Sequence, residues 1–164
     1  MPVLQVSVQR FSATGDKPFE EVLERLEAAI GRPDMAAFWR EVMAAETRED
    51  VERAIERAVG VSGLMEFTRF DLGAMNRKHR GADAPRSLRL VVGNPLIMRQ
   101  MVEPVPDAAS YAPVTILIDE RRDGVHVSYD RMASLLGPYQ NAAALSVARD
   151  LDVQVESLLR AACL

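Results

Sequence analysis

The chain has 164 residues, 48% of them apolar and 27% charged, which suits one domain with its own hydrophobic core and excludes a disordered or low-complexity chain. A net charge of −4 provides no overall basic field for nucleic acid, and no run approaches the ~18 apolar residues of a membrane span. The single cysteine, Cys163, cannot close an intramolecular disulfide, and Met1 to Val6 lacks the basic start and long apolar run of a signal peptide. These features predict a cytoplasmic protein with no nucleic-acid or membrane partner.

Leu4, Val6 and Val8 alternate with Gln5, Ser7 and Gln9, which predicts a half-buried first strand. Thr14 to Pro18 breaks it, with Asp16 placed to accept from the first free amides of a helix and Pro18 tolerated in its first turn. That helix presents Phe19, Val22, Leu23, Leu26, Ala29 and Ile30 on one face and ends at Gly31 and Pro33. Residues 34 to 60 read as two short helices. The first carries Met35, Phe38, Trp39, Val42 and Met43, and the second opens on Thr47 and Asp50 as a capping box and buries Val51, Ala54, Ile55 and Ala58.

Gly63 to Phe70 is strand-like, and residues 73 to 86, with the basic quartet Arg77-Lys78-His79-Arg80, are expected to form an exposed loop. Leu88, Leu90 and Val92 line one face of the next strand. Gly93-Asn94-Pro95 then turns the chain into a short helical segment containing Met98 and Met101. Val114, Ile116 and Ile118 alternate with Thr115 and Leu117, so this strand has two largely apolar faces and should be central. Asp123-Gly124 supplies the positive backbone angles of a hairpin, and the partner strand divides Val125, Val127 and Tyr129 from His126, Ser128 and Asp130. From Asn141 to Ala162 a long amphipathic helix buries Ala144, Val147, Ala148, Leu151, Val155, Leu158 and Leu159.

Apart from the 34–60 pair, the order is strand, helix, four strands, helix. It predicts a single α+β domain over residues 1–164: two layers, a mainly antiparallel sheet with helices on one face, and an inserted helix pair. The Phe19–Ile30 helix, the Phe67–Asp71 strand end, Val92 to Pro95, Met98 and Met101, Pro113 to Glu120, Asp123-Gly124 and Val127 to Asp130 together resemble the bacterial family of domain of unknown function 302. The resemblance implies a TATA-binding-protein-like strand–helix–four strands–helix arrangement and no established enzyme activity. The chain departs from the family pattern at the 34–60 helices and at Leu72, where the family often carries histidine after the aspartate matched by Asp71.

Each candidate site residue also has a structural use. Asn94 can offer donor and acceptor to a ligand or cap the helix that Pro95 begins. Met98 and Met101 are soft pocket walls, haem or copper ligands, or core. Tyr111 and Tyr129 bring hydroxyls, Asp71 a carboxylate, and His126 an imidazole on the face away from the core. No metal set is identified, and a triad drawn from Ser128, His126 and Asp130 is rejected because alternating strand positions do not create that geometry.

Three functions follow. The first is a homo-oligomeric small-molecule-binding domain with the Gly93–Met101 segment at its pocket rim. The second is a partner-binding or structural module using residues 34–60. The third is a small-molecule enzyme or a haem- or metal-binding protein. The sequence identifies no cofactor.

Overall fold

The computed structural model describes residues 3–164; Met1 and Pro2, part of the segment read for a signal peptide, lie outside the described residues. Five strands form one antiparallel sheet: β1 (Arg10–Gly15), β2 (Met65–Asp71), β3 (Ser87–Gly93), β4 (Val114–Arg121) and β5 (Gly124–Asp130), in the order β1-β5-β4-β3-β2. The helices are α1 (Phe19–Ala29), α2 (Met35–Ala44), α3 (Arg48–Ala58), α4 (Gly73–Arg80), α5 (Pro95–Val102), α6 (Met132–Leu136) and α7 (Ala142–Cys163). The architecture is the α+β arrangement expected, with β4 at the centre and β1 and β2 at opposite edges.

Alternation decides the layers. Leu88, Leu90, Val92, Val114, Ile116, Ile118, Val125, Val127 and Tyr129 point to one face and are buried there under α1, α5 and α7. The inward stripe of α1, Phe19, Val22 and Leu26, and that of α7, Ala144, Ala148, Leu151, Val155 and Leu159, complete this core. Phe38, Ile55, Ala58 and Met65 make a second, smaller one under α2 and α3. The opposite face of the sheet stays open, with Arg10, Ser12, Thr14, Arg89 and Thr115 exposed.

The helix pair leaves and returns at one point. A Cβ on Gly31 would run into the Ala58 carbonyl oxygen, and one on Gly60 into that of Ala29, so the ends of α1 and α3 touch through backbone that only glycine allows. The Leu64 carbonyl accepts from both glycine amides, at 2.9 and 3.0 Å.

Four local expectations are corrected. The first strand is Arg10–Gly15, with Phe11 and Ala13 turned to the core, rather than the Leu4–Val8 alternation. The earlier residues have no strand to pair with, because β5 ends at Asp130 opposite Arg10 and turns into α6; Leu4 and Val8 remain about half exposed. Residues 73–80 are a helix, α4, not a loop. Its four basic residues occupy the last turn, where the helix dipole favours them, and Gly81 closes it at φ 92° with its amide on the Arg77 carbonyl at 3.0 Å. Asp16 does not cap α1, whose N-cap is Pro18 with no side-chain bond. At the β4–β5 hairpin Gly124 alone has positive φ, 130°, where β1 approaches it closely.

One polar group lies inside the core. Asp152 of α7 is fully buried. Its Oδ1 accepts from the Tyr129 hydroxyl at 2.7 Å and the Met132 amide at 2.7 Å, and its Oδ2 from the Ala133 amide at 3.1 Å. It therefore caps α6 from another helix, meeting the Ala133 amide and sharing the Met132 amide with the Tyr129 hydroxyl oxygen at 3.2 Å.

Asp152→Ala should lower unfolding stability in urea by about 3 kcal/mol, since it strands the Tyr129 hydroxyl proton and the Ala133 amide and leaves the Met132 amide only the Tyr129 oxygen at 3.2 Å, and Asp152→Asn by less. Burial raises the Asp152 carboxyl above its ordinary 3.8, against the pull of Tyr129, the Ala133 and Met132 amides and Arg131. The native state thus holds this proton to higher pH than the unfolded chain. The linked stability is fully present below 3.8 and is lost as pH rises through the folded value. The stability gap between wild type and Asp152→Asn should narrow across that window.

Candidate functional site

The open face of the sheet carries a cleft of about 480 Å³. Its floor is set by register. Arg89 lies opposite Leu117, Leu117 opposite Ser128, and Arg10 opposite Asp130, so outward side chains from four strands form adjacent rows. Leu72 closes one end, and Tyr111 and Leu135 stand at the other.

The charges are unequally satisfied. Arg10 makes two hydrogen bonds to Asp130, Nε to Oδ1 at 2.6 Å and Nη2 to Oδ2 at 2.8 Å. The guanidinium of Arg89 sits over the Phe70 ring at 4.7 Å from its centroid and has no carboxylate at ion-pair distance among the described residues. At the far end the Tyr111 and Tyr139 hydroxyls are 3.0 Å apart. The hydrogen bond from Tyr111 and the loss of hydration push Tyr139 up to about 12.

The sequence-predicted site residues separate. Tyr111 lines the cleft, whereas Tyr129 borders it from the buried face, its hydroxyl committed to Asp152 and its ionisation pushed to higher pH by burial. Asn94 caps α5, accepting from the Leu96 amide at 2.9 Å and donating to the Gly63 carbonyl at 2.9 Å, with Pro95 in the first turn. Met98 packs partly buried against the core beside Gly93, and Met101 is fully buried.

His126 lies at the other end of the open face, between Thr14 Oγ1 at 3.3 Å and Asp123 Oδ1 at 2.9 Å. Asp71 belongs to a second cleft, of about 560 Å³, with Arg69, Arg77 and Arg86. There Arg77 pairs with Asp71 itself, Arg86 with Glu20, and Arg69 with Glu66 and Glu27. The Arg77 hydrogen bond holds the Asp71 carboxyl below its usual range. Asp71, Asn94, Tyr129 and His126 therefore share no cleft, which removes the geometry an acid–base mechanism through them would require. Among the described residues no three His, Cys, Asp or Glu side chains converge to hold a metal ion.

Arg10, Arg89, Leu117 and Ser128 are the residues missed by sequence reasoning. The available signal was Leu117, an apolar side chain on the outward register of β4, which marks a second surface in use.

Compared with known proteins, residues 41–162 match the family described as Domain of unknown function DUF302, a range that begins inside α2 and includes all of α3. Among solved structures the chain is similar to the crystal structure of an uncharacterized conserved DUF302 protein from Bacillus stearothermophilus. The TM-score is 0.65 at 12% identity, covering 94% of this chain and 98% of that one, a likeness that speaks for the fold. No curated protein matches the chain.

Tyr111→Phe should lower the ionisation of Tyr139 towards the ordinary tyrosine value of 10.0 by removing its hydroxyl partner. A spectrophotometric phenol titration of the two proteins measures the change. An unchanged Tyr139 would show that the hydroxyl pair is absent in solution.

Proposed function

Because the chain belongs to the DUF302 family, whose description assigns no activity, its function has to be read from its own surfaces, and we propose a small-molecule-binding domain whose site is the cleft on the open sheet face. The observation that carries this reading is a concave, partly apolar surface where a two-layer protein could have presented a plain polar face. Leu72, Leu117 and Leu135 give a ligand apolar contact, while Arg89, Thr115, Tyr111 and Ser128 surround it with donors and hydroxyls. The site is built on paired strands, so its floor is rigid before a ligand arrives.

Self-association is the second reading, and a pair on α2 favours it. Phe38 is buried within its own chain, but Trp39 is 47% and Met43 83% exposed, one helical turn apart. In an antiparallel crossing with a second copy, Trp39 of each would meet Met43 of the other.

A thermal-unfolding screen of the full chain against small organic acids, amides, amines and sugars should find a stabilising compound. At a free concentration of 100 times Kd the gain is about 2.7 kcal/mol. Leu117→Arg, which fills the floor from a half-exposed position, should abolish that gain without loss of fold. A compound that stabilises both proteins equally would place binding elsewhere. For the second reading, sedimentation velocity should show a concentration-dependent dimer that Trp39→Ser converts to monomer; wild-type protein that stays monomeric at all concentrations eliminates it.

A further inference from the structure

We infer that the cleft on the open face takes an organic monoanion, a carboxylate on a compact apolar body, with the carboxylate on Arg89 and the body along Leu117. This rests on the reading of the cleft as a ligand site and narrows it to one chemical class.

Charge supplies the first argument. Arg10, Arg89 and Asp130 are the ionic residues lining the cleft, and Asp130 is spent on Arg10 through two hydrogen bonds. The cleft is left with one uncompensated cation, Arg89. The neighbouring arginines are already spent, Arg69 on Glu66 and Glu27, Arg77 on Asp71 and Arg86 on Glu20, whereas Arg89 has no carboxylate at ion-pair distance among the described residues.

Geometry supplies the second. The Phe70 ring covers a face of the Arg89 guanidinium, which leaves the in-plane N–H donors to other partners. Two of those donors in parallel match the two oxygens of a carboxylate, an arrangement that a lysine ammonium cannot reproduce.

The rest of the lining sets the body of the ligand. From Arg89 on β3 across Leu117 to Ser128 on β5 is two interstrand steps, roughly 10 Å, the length of one ring with a short chain. Leu72, Leu117 and Leu135 offer apolar contact along the cleft, and its remaining polar side chains, Thr115, Ser128 and Tyr111, are neutral. A second negative charge would meet no free cation in the lining, so a monoanion fits better than a phosphate dianion.

The test uses phenylacetate and its neutral isostere phenylacetamide, titrated into the isotopically labelled full chain and followed by amide NMR. Phenylacetate should shift the amides around Arg89, Leu117 and Ser128 and bind at least about tenfold more tightly than the amide, with a preference that shrinks as salt is raised. Arg89→Gln should erase the preference by weakening phenylacetate far more than phenylacetamide, and Arg89→Lys should restore only part of it. Thermal unfolding of both variants near the wild-type temperature confirms their fold. Equal binding of the two compounds at the cleft amides overturns the monoanion inference and leaves the cleft as a neutral-ligand site. If neither compound shifts those amides, the monoanion and the cleft reading fall together.

Discussion

The fold turns on a carboxylate that has no access to water. Asp152 sits on the inward stripe of α7, and everything at that end of the molecule is arranged to satisfy it. The Tyr129 hydroxyl reaches it from β5, the first two amides of α6 reach it from the loop after that strand, and Arg131 approaches to 3.8 Å while pairing with Glu156 at 2.9 Å. A buried acid tolerates few alternatives, since a helix rotated by one residue would leave it unpaired. It therefore fixes how α7 lies under the sheet and where α6 begins. Because Leu135 of α6 walls the cleft on the other side, a constraint inside the core defines one end of the outer site.

The sheet shows the general problem of a two-layer protein. One face is covered by helices, and the other must be polar enough to remain in water. Here the outer face is mixed. Arg10 with Asp130 and His126 with Asp123 keep its rim hydrated, while Phe70 and Leu72 stay 43% and 45% exposed at the β2 edge and Leu117 lies half-buried two strands away. Arginine over phenylalanine is a compromise between these demands, covering an apolar ring without removing the charge from solvent. The surface is least plainly polar along the cleft.

Much of the fold was legible because it is written in period. Alternation in β3, β4 and β5 and the helical stripes of α1 and α7 each fix a buried face from neighbouring residues alone. The edge strand misled because two alternations lie in succession, and only pairing with β5 decides between Val8 and Phe11. In α4 the polar composition hid the helix, although four basic residues before Gly81 are a C-terminal signal. Asp152 was visible in principle as an acid between Ala148 and Val155 on an apolar stripe. The candidate site was not legible in this way. Arg10, Arg89, Leu117 and Ser128 are ordinary residues of four strands, and they become a site only when long-range register sets them side by side. The motif-like residues, Asn94 and Met101, stand out locally because they have local duties, in a cap and in the core.

The contact between Gly31 and Gly60 makes the helix pair a handle. The chain departs from the end of α1 and comes back beside its point of departure, so residues 32–59 are fastened to the body at one place in the backbone. The pair's outer surface, including Trp39 and Met43, faces away from the small core that Phe38, Ile55 and Ala58 share with Met65 of β2. Its hold on β2 is the cover that Phe38 and Ile55 give Met65. The two glycines set how closely the ends of α1 and α3 approach, and so where the handle joins the body.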